Sequence, residues 1–207
     1  VAIARHDGHT FDADLVHPGR VILDVGCRGF HLAAQFPHCR YIGFDADPEL
    51  AAPADLPNGD FTIAAVVGEH PDPISRTARI VMDRDTSART IVRNAHQWPT
   101  RTVPTITLEE IISRWNILHF ALIKLDCEGS EYGIMEVIAG LGPIADQISV
   151  EYHDFCGLNP QTDMDQWYAT LHTRLGQWYD AVRFTGPIGD EPAHFDCLYQ
   201  LRMPWRT

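Results

Sequence analysis

Lysine is all but missing from this chain: of 16 basic residues 15 are arginine, and Lys124 stands alone. Basic residues are also outnumbered, 16 against 28 acidic ones, leaving a formal charge of −12. A surface of that sign argues against nucleic acid and against anionic membranes as partners. Long apolar runs are absent too; none approaches the roughly 18 residues of a spanning helix. Asp7, Asp12 and Asp14 interrupt the opening stretch, so the sequence predicts no signal peptide there. The five cysteines, Cys27, Cys39, Cys127, Cys156 and Cys197, are odd in number and form no CxxC pair. That pattern points away from a disulfide framework or zinc knuckle and towards the reducing cytoplasm. There is no phosphate-binding G-x-x-x-x-G-K-[ST] loop and no G-x-G-x-x-G fingerprint, which disfavours an NTPase and a nicotinamide oxidoreductase. Repeats, low-complexity tracts and flexible linkers are missing as well, so residues 1–207 are read as one domain.

What is present alternates. Residues 1–19 read as a polar N-terminal segment, with His6, Asp7, Gly8 and His9 in a loop. Residues 21–25 read as a buried strand closed by Gly26 and Gly29, and 31–36 as a helix stopped by Pro37. Residues 41–44 form a second strand ending in Asp45 and Asp47, and 61–67 a third, ended by Gly68. Residues 69–104, with Pro71, Pro73, Pro99 and Pro104, read as an irregular segment able to cap an acceptor pocket with Trp98, Arg101 and Trp115. Within it a strand fits 79–82 and a helix 88–96. Thr107-x-x-Glu110 is a capping box that starts a helix. Residues 120–125 are a fourth strand ending in Asp126, followed by a helix from Ser130 or Glu131 to Gly140, and 148–152 are a fifth. Residues 163–178 repeat apolar positions at helical spacing, and their stripe Trp167, Leu171, Leu175 and Trp178 is read as core or as a homodimer face. Residues 181–184 and 195–201 finish the chain as an antiparallel hairpin about 187–190.

Such an order defines an α/β domain with a mostly parallel sheet, whose ligands sit beyond the carboxyl ends of its strands. The residues there carry the chemistry. Glycines straight after the first strand let backbone approach a ligand, and Asp24 before them can anchor an ammonium group; a plain tight turn explains them equally well. Asp45 can accept hydrogen bonds from ribose hydroxyls, or stand solvated at a loop start. Together the two favour a ribose-bearing cofactor. For proton transfer the pattern offers Asp126 and His153, an ordinary histidine titrating near ~6.5 with Glu151 or Asp154 to orient it. Glu128 and Glu131 flank a helix N-terminus, where carboxylates are favoured in any case. A metal reading of His153, Asp154, Asp126 and Glu151 finds no H-x-x-x-H or H-x-H spacing among the 11 histidines, so no metal is predicted.

Residues 123–131, Ile-Lys-Leu-Asp-Cys-Glu-Gly-Ser-Glu, resemble the "IKIDVEGAE" signature of the FkbM family of S-adenosylmethionine-dependent methyltransferases. Lys124, Asp126, Glu128, Gly129 and Glu131 match it, and the chain's one lysine falls on the family's lysine. Residues 18–26 are similar to the family's first motif, 44–48 to its "FEPDP", 65–69 to its "AVGD" and 105–112 to its "TLDDLL" helix. The turn at Asp24–Gly29 departs from the family's D-V-G-A-N-x-G, being one residue shorter and without the Asn.

The resemblance implies a class I, Rossmann-like methyltransferase fold with a seven-stranded, mostly parallel sheet in the order 3-2-1-4-5-7-6, strand 7 antiparallel. Carried over by position, Asp24, Gly26, Cys27, Arg28 and Gly29 would cradle the methionine end of S-adenosylmethionine. Asp45 with Ala46 would hold the ribose, Val66 and Val67 would lie beside adenine, and Asp126 would stand next to the cofactor. It also implies O-methylation of a hydroxyl on a small molecule, a sugar or a natural product, releasing S-adenosylhomocysteine. A catalytically inactive binding or scaffold protein is the alternative that the shortened turn suggests.

Overall fold

The computed structural model describes residues 3–6, 9–56, 58–81, 99–153, 164–184 and 194–202. Trp98, Asp154, Cys156, the helix expected at 88–96 and the turn at 187–190 lie outside the described residues. Where the sequence predicts an N-terminal loop, the chain instead forms an antiparallel hairpin of β1 (Ile3–His6) and β2 (His9–Asp12). Every residue of β2 is buried, although most are polar. The reason is a clamp: the buried Gln147 accepts from the Asp12 amide at 2.8 Å and donates to the Asp12 carbonyl at 2.9 Å. Protein replaces water as the partner of that backbone, which a polarity pattern alone cannot show.

After the hairpin come β3 (Val21–Val25), α1 (His31–Gln35), β4 (Arg40–Asp45), β5 (Gly59–Ile63) and β6 (Ala65–Val67). Next are β7 (Thr77–Val81), β8 (Thr100–Thr107), α2 (Leu108–Trp115), β9 (Leu122–Leu125) and α3 (Glu131–Leu141). The chain continues through β10 (Gln147–His153), α4 (Met164–Leu175), β11 (Tyr179–Phe184) and β12 (His194–Leu201). Among the described residues seven strands form the central sheet, in the order β11-β12-β10-β9-β3-β4-β5. All its pairings are parallel except those of β12, which runs antiparallel to both β10 and β11.

Strand periodicity sorts the side chains between two faces. Leu23, Val25, Ile42, Phe44, Ile123 and Leu125 join the cluster under α2, α3 and α4. Ile22, Tyr41 and Leu122 join Phe11, Phe30 and Leu32 on the other face, beneath α1. Burial on both faces explains why these strands read as continuous apolar runs. It also fixes where the polar members go: Asp24 and Lys124 share the parity of Ile22 and Leu122. Of the apolar stripe on α4, Leu171 and Leu175 are buried in the core, while Trp178 beyond the helix is 40% exposed.

Several boundaries differ from the sequence pattern, each for a local reason. The expected third strand is two: the Ala64 amide makes the last bond to β4, donating to the Asp45 carbonyl at 2.9 Å, and from Ala65 the chain pairs in another sheet. Beyond that break β6 pairs with β8, which pairs with β7 in turn, so residues 77–81 and 100–104 of the segment read as irregular belong to a small sheet. Pro104 is tolerated in β8 because it stands at a handover: residues up to it pair with β7, and those from Thr105 pair with β6. Gly140 lies inside α3, whose end falls at Gly142, with a φ of 89°. Phe120 makes only an isolated bridge to Ala145 ahead of β9. Among the described residues no helix is long and apolar enough to cross a membrane.

The capping box at α2 forms as its sequence dictates. The Thr107 hydroxyl accepts from the Glu110 amide at 3.3 Å, and the Glu110 carboxylate accepts from the Thr107 amide at 3.1 Å. Thr107→Ala removes one of the two bonds and is expected to cost about 1 kcal/mol. Urea unfolding should show it as a lower midpoint with an unchanged slope.

Candidate active site

Connections leave β3 and β9 in opposite directions along the sheet, which opens a crevice between their carboxyl ends. The turn after β3 forms one wall. Gly26 has a φ of 76°, and a Cβ there would lie 1.7 Å from the Asp126 carbonyl oxygen. Only glycine lets the two strand ends close to this distance. The amides of Gly26 and Cys27 both donate to the Phe44 carbonyl, at 2.8 and 3.2 Å, which sets the turn against β4.

Lys124 ties the same turn from beneath. Its buried ammonium donates to the Gly26 carbonyl at 2.6 Å and stands 3.3 Å from Asp24 and 3.4 Å from Asp126. Burial disfavours its charge, but Asp24 and then Asp126 outweigh that and hold Lys124 above its ordinary value. Asp24, 3% exposed, also accepts from the Tyr41 hydroxyl at 2.9 Å. Its carboxylate is thus engaged inside the protein beside the turn.

Two clefts open here, and Gly26, Arg28 and Asp126 border both. Asp45, Ala46, Ala64, Ala65 and Val66 line the first. Asp45 is buried, which raises its carboxyl above the usual range, and one of its oxygens accepts from the Asp47 amide at 2.8 Å. Val67 lies one residue too far along to reach this cleft and packs instead with Ala65, Ile80 and Val103. The second cleft takes in Asp24, Cys27, Gly29, Lys124 and His9.

Around Asp126 the signature loop and β10 gather further titratable groups. Glu131, fully buried at the start of α3, accepts from the amides of Cys127 at 2.6 Å and Gly129 at 2.7 Å. Its carboxylate also meets His153 Nδ1 at 3.1 Å. His153 Nε2 then lies 3.7 Å from Glu128 and 3.8 Å from both Asp126 and Glu151. Burial works against a charge on His153, yet Glu131, Glu128 and Asp126 prevail and raise it to about 9. The free imidazole that an ordinary histidine would offer at neutral pH is therefore largely an imidazolium here. Burial, with Asp126 beside it, pushes Glu151 up to about 7. Asp126 goes the other way: against the penalty of burial, Lys124 and His9 hold its carboxyl well below the usual carboxylate range.

His9 is the member that the sequence reading places in a loop. It reaches Asp126 at 3.4 Å and Glu151 at 3.7 Å from the start of β2. A separation of 117 residues hides that meeting from any motif. Of the sequence-predicted residues, the structure brings Asp24, Gly26, Cys27, Arg28, Gly29, Asp45, Ala46, Val66 and Asp126 to the two clefts, and sets His153 beside Asp126.

A mostly parallel open sheet with a glycine turn after its central strand and an acid at the end of the next is the arrangement of a site for a ribose-bearing cofactor. The chain belongs to the FkbM methyltransferase domain family, whose model matches residues 25–177. No curated protein matches the chain. Among solved structures, a fibrillarin pre-rRNA processing protein of Methanococcus jannaschii is similar at 10% identity and a TM-score of 0.53, over 94% of this chain and 70% of that one. A TehB-like SAM-dependent methyltransferase of Corynebacterium glutamicum shares 15% identity at a TM-score of 0.41, over 92% and 86%. SMU.1697c of Streptococcus mutans, solved in complex with SAH, shares 8% at 0.42, over 91% and 93%. The acidity-based exclusion of nucleic-acid acceptors finds no support in this set, since one of these proteins is described by its role in pre-rRNA processing. Family and fold together support S-adenosylmethionine as the cofactor, and the close backbone approach at Gly26 with Asp45 lining the first cleft fits it.

Proposed function

We propose that this protein methylates a hydroxyl oxygen on a small molecule, a hydroxylated sugar or a natural-product scaffold. The observation that carries the reading is the meeting of the two clefts at one ionised carboxylate, Asp126. S-adenosylmethionine supplies, when bound, a methyl group on a positively charged sulfur. Asp45 and Ala46 would hold its ribose, Ala64 to Val66 would flank the adenine, and the turn from Gly26 to Gly29 would hold the methionine end.

Asp126 then has two tasks at the junction. Its charge favours an approaching cation, and its oxygens can accept a hydrogen bond from the acceptor hydroxyl, aligning it for transfer. As that oxygen gains a methyl group its proton becomes strongly acidic, so even a carboxylate of low basicity can take it. His153, gripped by Glu131, acts as the positioning group that keeps Asp126 aimed. The acceptor class follows the family likeness.

Calorimetry with S-adenosylhomocysteine tests the cofactor half. Micromolar binding to the native protein is expected, weakened about 10- to 100-fold in Asp45→Ala, the loss appropriate to charge-assisted hydrogen bonds. Unchanged affinity in the variant would sink the ribose assignment. Incubation with S-adenosylmethionine and a panel of hydroxylated sugars and polyketide-like scaffolds, read by mass spectrometry, tests the acceptor half. Cofactor binding with no methylated product across the panel would favour the binding-protein alternative.

A further inference from the structure

We propose that His9, Asp126 and Glu151 form a binding site for a first-row divalent metal ion. The nitrogen of His9 and one oxygen from each carboxylate all lie within 4.8 Å of one another. His9 Nε2 is 3.4 Å from Asp126 Oδ2 and 3.7 Å from Glu151 Oε2. Two ligands on a tetrahedral Zn(II) at about 2.0–2.1 Å stand roughly 3.3 Å apart, so the two distances from His9 to the carboxylates need to close by only a few tenths of an ångström.

The donor set selects the class of ion. One imidazole with two carboxylates suits Mn(II), Fe(II) or Zn(II), whereas Mg(II) and Ca(II) prefer oxygen alone. The imidazole is also held as a ligand should be. Its side chain is 3% exposed, and Nδ1 faces the Ser149 hydroxyl at 3.5 Å, leaving Nε2 to the carboxylates. Asp126 and Glu151 are less enclosed, with 29% and 16% of their side chains exposed, so the cluster keeps an open side. His153 and Glu128 form an adjoining cluster with the other oxygen of Asp126. Three distant chain segments converge here: the N-terminal hairpin, the end of β9 and the middle of β10. Motif spacing among the histidines therefore gives no hint of the site.

An ion at this point would border the cleft that Asp126 shares and meet an acceptor oxygen there, lowering the pKa of its hydroxyl. The inference goes beyond the methyl-transfer reading and does not depend on it, because ion binding is measurable with no cofactor present. Chelator-treated protein is titrated with MnCl2 while free Mn(II) is followed by electron paramagnetic resonance; Zn(II) is measured by competition with a chromophoric chelator. Saturable binding of one ion is expected, weakened at least about 10-fold in His9→Ala and in the near-isosteric Glu151→Gln, a lower bound set by the loss of even a supporting partner of a metal ligand. Circular dichroism and S-adenosylhomocysteine binding establish that each variant is folded. The proposal is overturned if native protein retains neither ion at millimolar concentration, or if folded variants bind as the native chain does.

Discussion

Gly26→Ala is expected to abolish S-adenosylhomocysteine binding in calorimetry and to lower the unfolding free energy. The new methyl would sit 1.7 Å from the Asp126 carbonyl oxygen, a backbone atom with no rotamer by which to escape. A φ of 76° adds a second conflict, since an L side chain in the left-handed region costs roughly 1–2 kcal/mol by itself. Relief requires the turn to swing away from β9, which pulls the Gly26 and Cys27 amides off the Phe44 carbonyl. Both clefts share Gly26, so both lose their common wall. Native affinity in the variant would show that the turn is not part of the cofactor site.

Lys124→Met should be the most destabilising single change at the site, by about 3–5 kcal/mol, the usual penalty for removing one partner of a buried ion pair. Methionine fills much the same space, so the effect isolates charge and hydrogen bonding from packing. Asp24 would lose its ion pair at 3.3 Å while remaining 3% exposed, and the Gly26 carbonyl would lose its donor at 2.6 Å. Chemical denaturation of native and variant protein measures the difference. A loss below about 1 kcal/mol, the level of an exposed pair, would mean that water already screens the ammonium.

The legible parts of this molecule were those governed by local rules. Buried strands announce themselves as apolar runs, and an acid or glycine at their ends marks the crevice, so Asp24, Gly26, Asp45 and Asp126 could be picked out in advance. The capping box at Thr107 is equally local. What escaped was set by partners far along the chain. Pro99 and Pro104 look like breaks until β8 is seen to change partners at Pro104. Polar residues 9–12 look like loop until β1 is seen to pair with them and Gln147 to satisfy the backbone of Asp12. The protonation of His153 follows from Glu131, which itself looks like an ordinary helix-start acid. In each case a tertiary partner reverses what the residue's own chemistry suggests.

The hairpin β1–β2 ties the site to segments far along the chain. It leans on β10 and on β12, the latest described strand, which inserts between β10 and β11. His9 precedes in the chain every partner that seats it, Asp126 after β9 and Ser149 and Glu151 on β10, and the rest of β2 also packs on β12. Such long-range closure is the slow class of folding event, and it leaves β2 and the edge of β10 uncovered in the interval. The candidate site thus depends on contacts that close the longest loops of the described chain, those of β2 with β10 and β12.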